Sequence, residues 1–328
     1  METFWKGLRK PIIALAPMAD VTDPAYRRLI SECAAADVMW TEFVSADGLY
    51  YTREKKGIPD EENPLMRDLA FTQGEHPIVA QLFSAKPDMI RYAAKLAAER
   101  GFDGVDINMG CPDASIEKQG AGAAMMKTPE LVKDIVDAAR MGVCDAGRPH
   151  MGVSVKTRIG YNSEAIDTWI PAVLAARPDA LTVHLRTRKE MSKVDAHWEL
   201  MPRVVMLRDQ LAPEVVLLGN GDVKDRADAL MKIAESGADG AMIGRGIFGN
   251  PWVFMGRTDV TENERLDALV TLAHYFEAMK PGKSFYILKK HVKAFVTGFD
   301  NAAELRAKLM EATSASQMEE IVARESGF

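Results

Sequence analysis

Residues 214–246 read EVVLLGNGDVKDRADALMKIAESGADGAMIGRG and contain the clearest structural pattern of the chain. A densely apolar run is followed by a helical pattern that ends at Gly237, and a second apolar run begins at Gly240. Glycine just past a helix is the usual C-terminal stop. Dense apolar runs are typical of parallel strands that are buried on both faces. The stretch therefore predicts a strand–helix–strand unit.

The same unit recurs through the preceding 200 or so residues, as a TIM barrel of about 250 residues requires. Further apolar runs begin at Ile12, Val38, Pro77, Gly104, Gly152 and Ala180. Helical patterns lie between the runs, and the first of these helices opens with Asp23 and Pro24, an N-cap and a first-turn proline. We predict an α/β fold, a (β/α)8 TIM barrel. A doubly wound open sheet is the alternative, but it would seldom use so many consecutive regular units.

Two segments depart from the repeat. Between Val44 and Pro77 a charged loop is followed by PLMRDLAF, residues 64–71, which we interpret as a short strand in an insertion on the barrel rim. After Trp252 only helical patterns remain, with breaks near Pro281 and Gly298. We predict two domains, a barrel over residues 1–255 and a small helical domain over residues 256–328.

Composition narrows the functional classes. The 328 residues carry a formal net charge of −6, which excludes a uniformly basic nucleic-acid coat but leaves a local basic patch open. No apolar run approaches the roughly 20 residues that span a bilayer, and the N-terminus has no signal-peptide pattern. Three cysteines are too few for a disulfide framework or a four-cysteine zinc site. We expect a cytoplasmic monomer without membrane segment or metal.

Candidate site residues follow the predicted strands at their carboxyl ends, which converge on one pocket in a TIM barrel. For any single residue, polarity at a strand end is expected without function. Such groups at all eight strand ends, however, predict a shared site. In chain order they are Pro17, Met18, Glu42, Gln81, Asn108, Cys111, Lys156, Arg158, His184, Arg186, Asn220, Asp222, Gly244 and Arg245.

Cys111 is the candidate reactive residue, because it follows a strand directly in NMGCPD. A thiol with an ordinary pKa of about 8.5 can act as a general acid at neutral pH. The alternative, a small buried core residue, is what we expect for Cys33 and Cys144, which lie in helical patterns. The glycine-rich turns GNGDV and GRG predict a phosphate site, with Arg245 adding a charged contact. A lysine at position 156 would likewise need an anion in the barrel mouth.

Two clusters of basic residues occur in the chain despite its acidic net charge. One comprises Arg186, Arg188, Lys189 and Lys193, and the other Lys289, Lys290, His291 and Lys293. A solvated charged face and a nucleic-acid contact both remain open for these clusters.

Several motifs together are similar to those of the tRNA-dihydrouridine synthases. They include LAPMADVTDPAYRRLI at residues 15–30, VDINMGCP at 105–112, VSVKTRIG at 153–160 and GAMIGRGIFGNPWVF at 240–254. The resemblance extends from about Pro11 to about Lys308. It implies an FMN-containing TIM barrel with a C-terminal helical domain. The implied reaction reduces the C5=C6 bond of specific tRNA uridines to dihydrouridine, with hydride from reduced FMN, a proton from Cys111 and NADPH as reductant.

The resemblance also implies roles for individual residues. The implied FMN contacts are Pro17, Met18, Gln81, Lys156, His184, Asn220, Gly221, Asp222, Gly244 and Arg245. The implied uridine and tRNA contacts are Asn108, Arg158, Arg186, Lys289 and Lys290. One departure affects tRNA docking, because Asp113, Ala114 and Ser115 occupy a loop where many family members carry basic residues. The alternatives are an FMN-dependent oxidoreductase acting on a small molecule, like dihydroorotate or ene-reductase enzymes, and a non-catalytic tRNA-binding module.

Overall fold

A closed parallel sheet forms the centre of the molecule in the computed structural model, which describes residues 2–325. The strands of the described chain are β1 Ile12–Leu15, β2 Met39–Trp40, β3 Val44–Ser45, β4 Ile78–Phe83, β5 Gly104–Met109, β6 Gly152–Arg158, β7 Ala180–His184, β8 Val216–Asn220 and β9 Gly240–Ile243. They pair in the order β1-β9-β8-β7-β6-β5-β4-β2, with β3 also on β4. The Leu15 N–H donates to the Val38 carbonyl at 3.0 Å and closes the ring. The predicted TIM barrel is confirmed.

The second barrel strand is interrupted at the pocket end. Both β2 and β3 pair with β4, at Met39↔Ile78 and Val44↔Leu82, so the nine strands occupy eight barrel positions. Residues 41–43 lie between the two pieces. The Thr41 hydroxyl accepts from the Gln81 N–H at 3.0 Å, which replaces part of the strand ladder. Glu42 therefore lies in this break instead of within a regular strand.

Helices surround the sheet and continue beyond it. They are α1 Phe4–Gly7, α2 Pro24–Ala34, α3 Ala46–Tyr50, α4 Pro64–Asp68, α5 Pro87–Glu99, α6 Ala114–Glu117, α7 Leu131–Asp145, α8 Ile166–Ala175, α9 Met201–Leu211, α10 Arg226–Ser236, α11 Glu262–Ala278, α12 Lys289–Phe295, α13 Ala302–Glu311 and α14 Ala315–Glu325. The Asp23 carboxylate accepts from the Tyr26 N–H at 3.0 Å, so the predicted start of α2 is confirmed. Gly237, at φ 75°, ends α10 as predicted.

The predicted strand at residues 64–71 is wrong. Residues 64–68 form α4, which begins with Pro64 after the cap Asn63, whose side chain accepts from the Leu65 N–H at 3.1 Å. Asn63, Met66 and Leu69 are buried at a spacing of three residues, the period of a helix and not of a strand. Helix α3, which lies in the same insertion between Val44 and Pro77, packs against α5 in the outer layer. The insertion therefore belongs to the ring of helices around the barrel.

The C-terminal helices are seated on the barrel. Helix α11 packs on α2, and the Tyr26 ring of α2 meets the His291 ring of α12 at a centroid distance of 4.5 Å. The Tyr26 hydroxyl donates to the Ile247 carbonyl at 2.7 Å. Gly249, at φ 73°, approaches so closely that a Cβ there would lie 2.2 Å from the Ala294 carbonyl oxygen. The turn after β9 therefore supports the helices that follow it.

Candidate functional site

Most of the predicted barrel residues converge on one pocket at the carboxyl ends of the strands, but Glu42 does not line it and pairs with Lys283 instead. The cavity has a volume of about 300 Å³. Its lining includes Pro17, Met18, Gln81, Asn108, Cys111, Lys156, Arg158, His184, Arg186, Asn220, Gly221, Asp222, Gly244 and Arg245. Phe43 and Ser192, which the sequence did not suggest, also line it, whereas Lys289 and Lys290 do not.

A chain of side-chain hydrogen bonds fixes the loop that carries the cysteine. The Gln81 amide donates to the buried Asp106 carboxylate at 2.8 Å and accepts from the Asn108 amide at 3.1 Å. Asn108 Oδ1 accepts from the Cys111 N–H at 2.9 Å. Burial raises the pKa of Asp106 to about 6, against the lowering effect of its hydrogen bonds. The sequence did not point to Asp106 as a site residue, because Asp106 lies inside strand β5 and not at its end.

The Cys111 thiol is held at the pocket wall in its protonated form. Burial raises the pKa of Cys111, and this effect exceeds the lowering by nearby Arg158 and Lys156. The Cys111 carbonyl accepts from the Ala123 N–H at 2.9 Å, and Gly122, at φ 62°, leaves it room. A protonated thiol at neutral pH can donate a proton and is a poor nucleophile.

The other cysteines lie away from this pocket. Cys33 is half-buried, but Cys144 is exposed, so the expectation of a buried core position for Cys144 is wrong. Cys144 is next to last in α7, where the polar end of the helix reaches solvent.

Lys156 lines the pocket, and its ammonium can bind more than one hydrogen-bond acceptor. Its ammonium donates to Asn220 Oδ1 at 3.0 Å, and Asn220 donates to the Met242 carbonyl at 2.8 Å. Removal from water lowers the pKa of Lys156 to about 8, and repulsion from Arg158 adds to the effect. An anion in the pocket would reverse this shift, because a nearby negative charge favours the ammonium form. The ammonium has three donors, and within residues 2–325 its hydrogen bond is to Asn220.

Beyond the end of β8, one carboxylate pairs with two arginines. The Asp222 carboxylate accepts from Arg186 and, at 2.6 Å, from Arg245. Burial opposes ionisation of Asp222, but the Ala196 N–H and the two arginines lower its pKa overall. The His184 ring lies 3.3 Å from the Arg186 guanidinium. Burial and the surrounding cations lower the pKa of His184 well below its ordinary value, so this histidine is neutral at physiological pH.

Arg158 joins the cysteine loop to the loop after β7. Its guanidinium donates to the carbonyls of Gly110 at 2.7 Å, Thr187 at 3.3 Å and Met191 at 3.4 Å. The side chain is buried, and burial lowers the pKa of Arg158 to about 10. The contacts of Arg158 in the structure are therefore with backbone that frames the pocket. A direct contact with substrate stays a prediction.

A buried ion pair connects the strand break to the C-terminal segment, and sequence reasoning missed it. The Lys283 ammonium, 6% exposed, donates to Glu42 Oε2 at 2.9 Å and lies 3.4 Å from Asp68. Glu42 also accepts from the Asp20 N–H, two residues beyond the pocket residue Met18. No local signal could have found this pair, because its members are more than 200 residues apart.

The two basic clusters are divided by the fold. Arg186 is buried in the pocket, whereas Arg188 is paired with Glu117 at 2.8 Å. Lys289 donates to the Met310 carbonyl at 2.5 Å. Burial lowers the pKa of His291 to about 3, so this residue adds no charge. The basic clusters are thus smaller than the sequence implies.

The loop of Asp113, Ala114 and Ser115 starts a short helix. The Asp113 carboxylate caps α6 by accepting from the Ser115 N–H at 2.8 Å. The acidic residue therefore has a local structural reason.

No helix of residues 2–325 combines the length and apolarity that crossing a membrane requires. The same residues contain no group of three or more His, Cys, Asp or Glu arranged to hold a metal ion.

A parallel barrel with buried cations and a thiol in a pocket at the carboxyl ends of its strands is the arrangement of a TIM-barrel enzyme. A family model described as dihydrouridine synthase matches residues 14–326. A "Probable tRNA-dihydrouridine synthase" of Staphylococcus aureus is 39% identical over 320 residues, covering 96% of this chain and 93% of that protein. A "Probable tRNA-dihydrouridine synthase 2" of Bacillus subtilis is 38% identical over 321 residues, covering 97% and 94%. The chain belongs to the dihydrouridine synthase family.

Solved structures support the fold at low sequence identity. A 2-naphthoyl-CoA reductase aligns with a TM-score of 0.52 at 10% identity, over 74% of this chain and 49% of that chain. A DHODH of Eimeria tenella aligns with a TM-score of 0.50 at 12% identity, over 77% and 81%. At this level of identity the likeness concerns the fold alone.

Proposed function

We propose that this protein reduces the C5=C6 bond of specific uridines in tRNA to dihydrouridine, with bound FMN as cofactor and NADPH as reductant. The observation that carries the proposal is the protonated Cys111 thiol on the wall of a cationic pocket, in a chain of this family. The proposal places the protein in the cytoplasm, where it would encounter tRNA. It also includes a monomer, because residues of one chain line the pocket.

The residues present fit an FMN cofactor. Arg245 and the glycine turns at Gly221 and Gly244 suit a phosphate, because backbone and guanidinium donors are near one another. Pro17 and Met18 line the same pocket and would give a flat ring an apolar contact. Lys156 would lie against the ring's anionic edge. When bound and reduced, the flavin supplies the hydride for C6 of uracil.

Within this proposal Cys111 is the general acid. Its Sγ–H proton goes to C5, so hydride and proton together saturate the double bond and the thiolate regains its proton from solvent. Asn108 orients the loop through the Cys111 N–H and lies where it could also contact the base. The neutral His184 and the two buried arginines, Arg158 and Arg186, hold the walls without competing for this proton.

The substrate must bring a single base into the pocket. A uridine in folded tRNA has to leave its stack, which costs a few kcal/mol and is easiest in a loop. We propose that the helices of residues 256–328 bind the tRNA while the uridine is in the pocket, with Lys289 and Lys290 as contacts. This assignment keeps the two-domain division, barrel and tRNA-binding helices, as part of the proposal.

Mass spectrometry of tRNA tests the proposal directly. Unmodified tRNA transcript incubated with the purified protein, FMN and NADPH should gain two mass units per modified uridine. The reduced enzyme should also be reoxidised by tRNA under anaerobic conditions. No mass gain together with steady turnover of a free pyrimidine or enone would contradict the proposal and favour a small-molecule oxidoreductase.

A further inference from the structure

Residues 279–293, MKPGKSFYILKKHVK, form what we call the lysine segment. It contains five lysines and no aspartate or glutamate, in a chain whose formal net charge is −6. It covers the connection after α11 and most of α12. Such a local excess of one charge indicates an interaction surface more specifically than net charge does.

The inner side of the lysine segment is fastened beside the pocket mouth. Lys283 is buried against Glu42, which in turn holds the Asp20 N–H of the pocket loop. Lys290 is half-buried near Asp20, and Arg67 donates to the Pro281 carbonyl at 3.1 Å. The segment is therefore a fixed part of the rim next to the pocket.

The outer side presents cations that the protein itself does not neutralise. Lys280 and Lys293 are exposed, and neither has a carboxylate within 4 Å in the part of the chain that the structure describes. Exposed cations without acidic neighbours can release counterions on meeting phosphates.

Tyr286 is an exposed residue of the same segment. Its side chain is 74% exposed, and the Lys289 ammonium lies 5.8 Å from its ring centroid. An exposed aromatic ring among cations is the arrangement with which proteins stack on unpaired bases. Tyr51 offers a useful contrast, because it is 53% exposed with Lys56 5.2 Å away but belongs to a segment that also contains the acidic residues 60–62.

We propose that Tyr286 of the lysine segment stacks on an unpaired tRNA base other than the reacting uridine, while Lys280 and Lys293 contact phosphates. The inference rests on the proposed function and adds the manner of docking, namely a base stacked on Tyr286. Phosphate charge complements the segment, and the ring supplies a contact that pure electrostatics does not.

Equilibrium binding of an unmodified tRNA transcript to the full-length protein tests the stacking. Tyr286→Ala should raise Kd about tenfold, in the range that removal of one base–aromatic stack produces. The slope of log Kd against log salt should stay unchanged, because no cation is lost. Tyr286→Phe should bind as the wild type does, since the ring is kept. Tyr51→Ala, the matched control, should also bind like the wild type.

Two further results separate this inference from the proposed function. At saturating tRNA, Tyr286→Ala should form dihydrouridine at the wild-type kcat with a raised KM, and its Tm should be unchanged. A wild-type protein that forms no dihydrouridine would refute the proposed function. A wild-type protein that forms it while Tyr286→Ala behaves like Tyr51→Ala would overturn only the docking proposal, and would leave the segment as a surface for an acidic protein. Weak binding by Tyr286→Phe would also overturn it, because the hydroxyl and not the ring would be responsible.

Discussion

The pocket and the lysine segment both contain several cationic side chains. The arginines of the pocket are buried and paired, whereas two lysines of the segment are exposed. Arg158 and Arg186 are 8% and 3% exposed, and backbone carbonyls and Asp222 occupy their donors. Lys280 and Lys293 are exposed, and no carboxylate of residues 2–325 lies within 4 Å of them. A buried cation requires partners inside the protein, whereas an exposed one remains available to a ligand. The buried arginines therefore shape the pocket, and the exposed lysines are suited to a polyanion.

The largest expected difference between the two regions is chemical. Cys111→Ala should lower the rate of dihydrouridine formation by about 10²- to 10⁴-fold, as expected when a positioned general acid is removed. The flavin should still bind and still be reduced by NADPH, because the thiol is not needed for either step. Single-turnover reoxidation of the reduced enzyme by tRNA measures the effect.

Cys144→Ala is the matched control, since Cys144 is exposed on α7 outside the pocket lining. It should reoxidise at the wild-type rate. A Cys111→Ala enzyme with an undiminished rate would remove the thiol from the mechanism, and water or another pocket group would then have to supply the proton.

The second difference is in stability. Arg158→Met should destabilise the protein by about 3 kcal/mol, because buried carbonyls of two loops lose their donor. Lys293→Met should leave the unfolding free energy within about 0.5 kcal/mol of the wild type, as surface substitutions usually do. Urea unfolding followed by circular dichroism compares the two variants. Equal stability of both would mean that the contacts of Arg158 are not structural.

Local sequence pattern was sufficient for the barrel and for most of the pocket. Dense apolar runs such as residues 214–219 fix buried parallel strands, and the parallel arrangement then brings the ends of the strands to one face. Cys111 and Lys156 could be placed on one pocket for this reason alone. The glycine that ends α10 is similarly local, because a left-handed φ at Gly237 is encoded by one residue.

What the sequence could not provide depends on contacts between distant parts of the chain. The pairing of Glu42 with Lys283 requires the C-terminal segment to return to the break in the second strand. The partners of Arg158 are carbonyls, which carry no residue signature. In the stretch of residues 64–71, apolar content concealed a period of three that becomes evident at Met66 and Leu69 only once burial is known.

The third difference is a pH dependence confined to the pocket. Burial lowers the pKa of Lys156 to about 8, so the free pocket loses this charge as pH rises through 8. Binding an anion requires the protonated amine, and the Kd for FMN should therefore rise between pH 7.5 and 9, by at most about tenfold per pH unit. Lys156→Met should bind FMN weakly with little pH dependence, and Lys156→Arg should keep its charge across the range. Fluorescence titration of the apoprotein gives these constants, and a flat wild-type profile would contradict the assignment.

The smallest difference concerns the salt dependence of tRNA binding. The double variant Lys280→Gln/Lys293→Gln should lower the slope of log Kd against log salt by about 1 to 2, since each phosphate contact contributes about 0.7 to 0.9. Its Kd should rise only a few-fold at moderate salt, and its Tm should not change. Lys55→Gln/Lys56→Gln is the matched control, because it removes the same charge from exposed positions beside the acidic stretch. If both pairs lowered the slope equally, tRNA would be responding to the total charge of the protein. An effect limited to Lys280 and Lys293 would locate the phosphates on the lysine segment, which also carries the exposed Tyr286 ring.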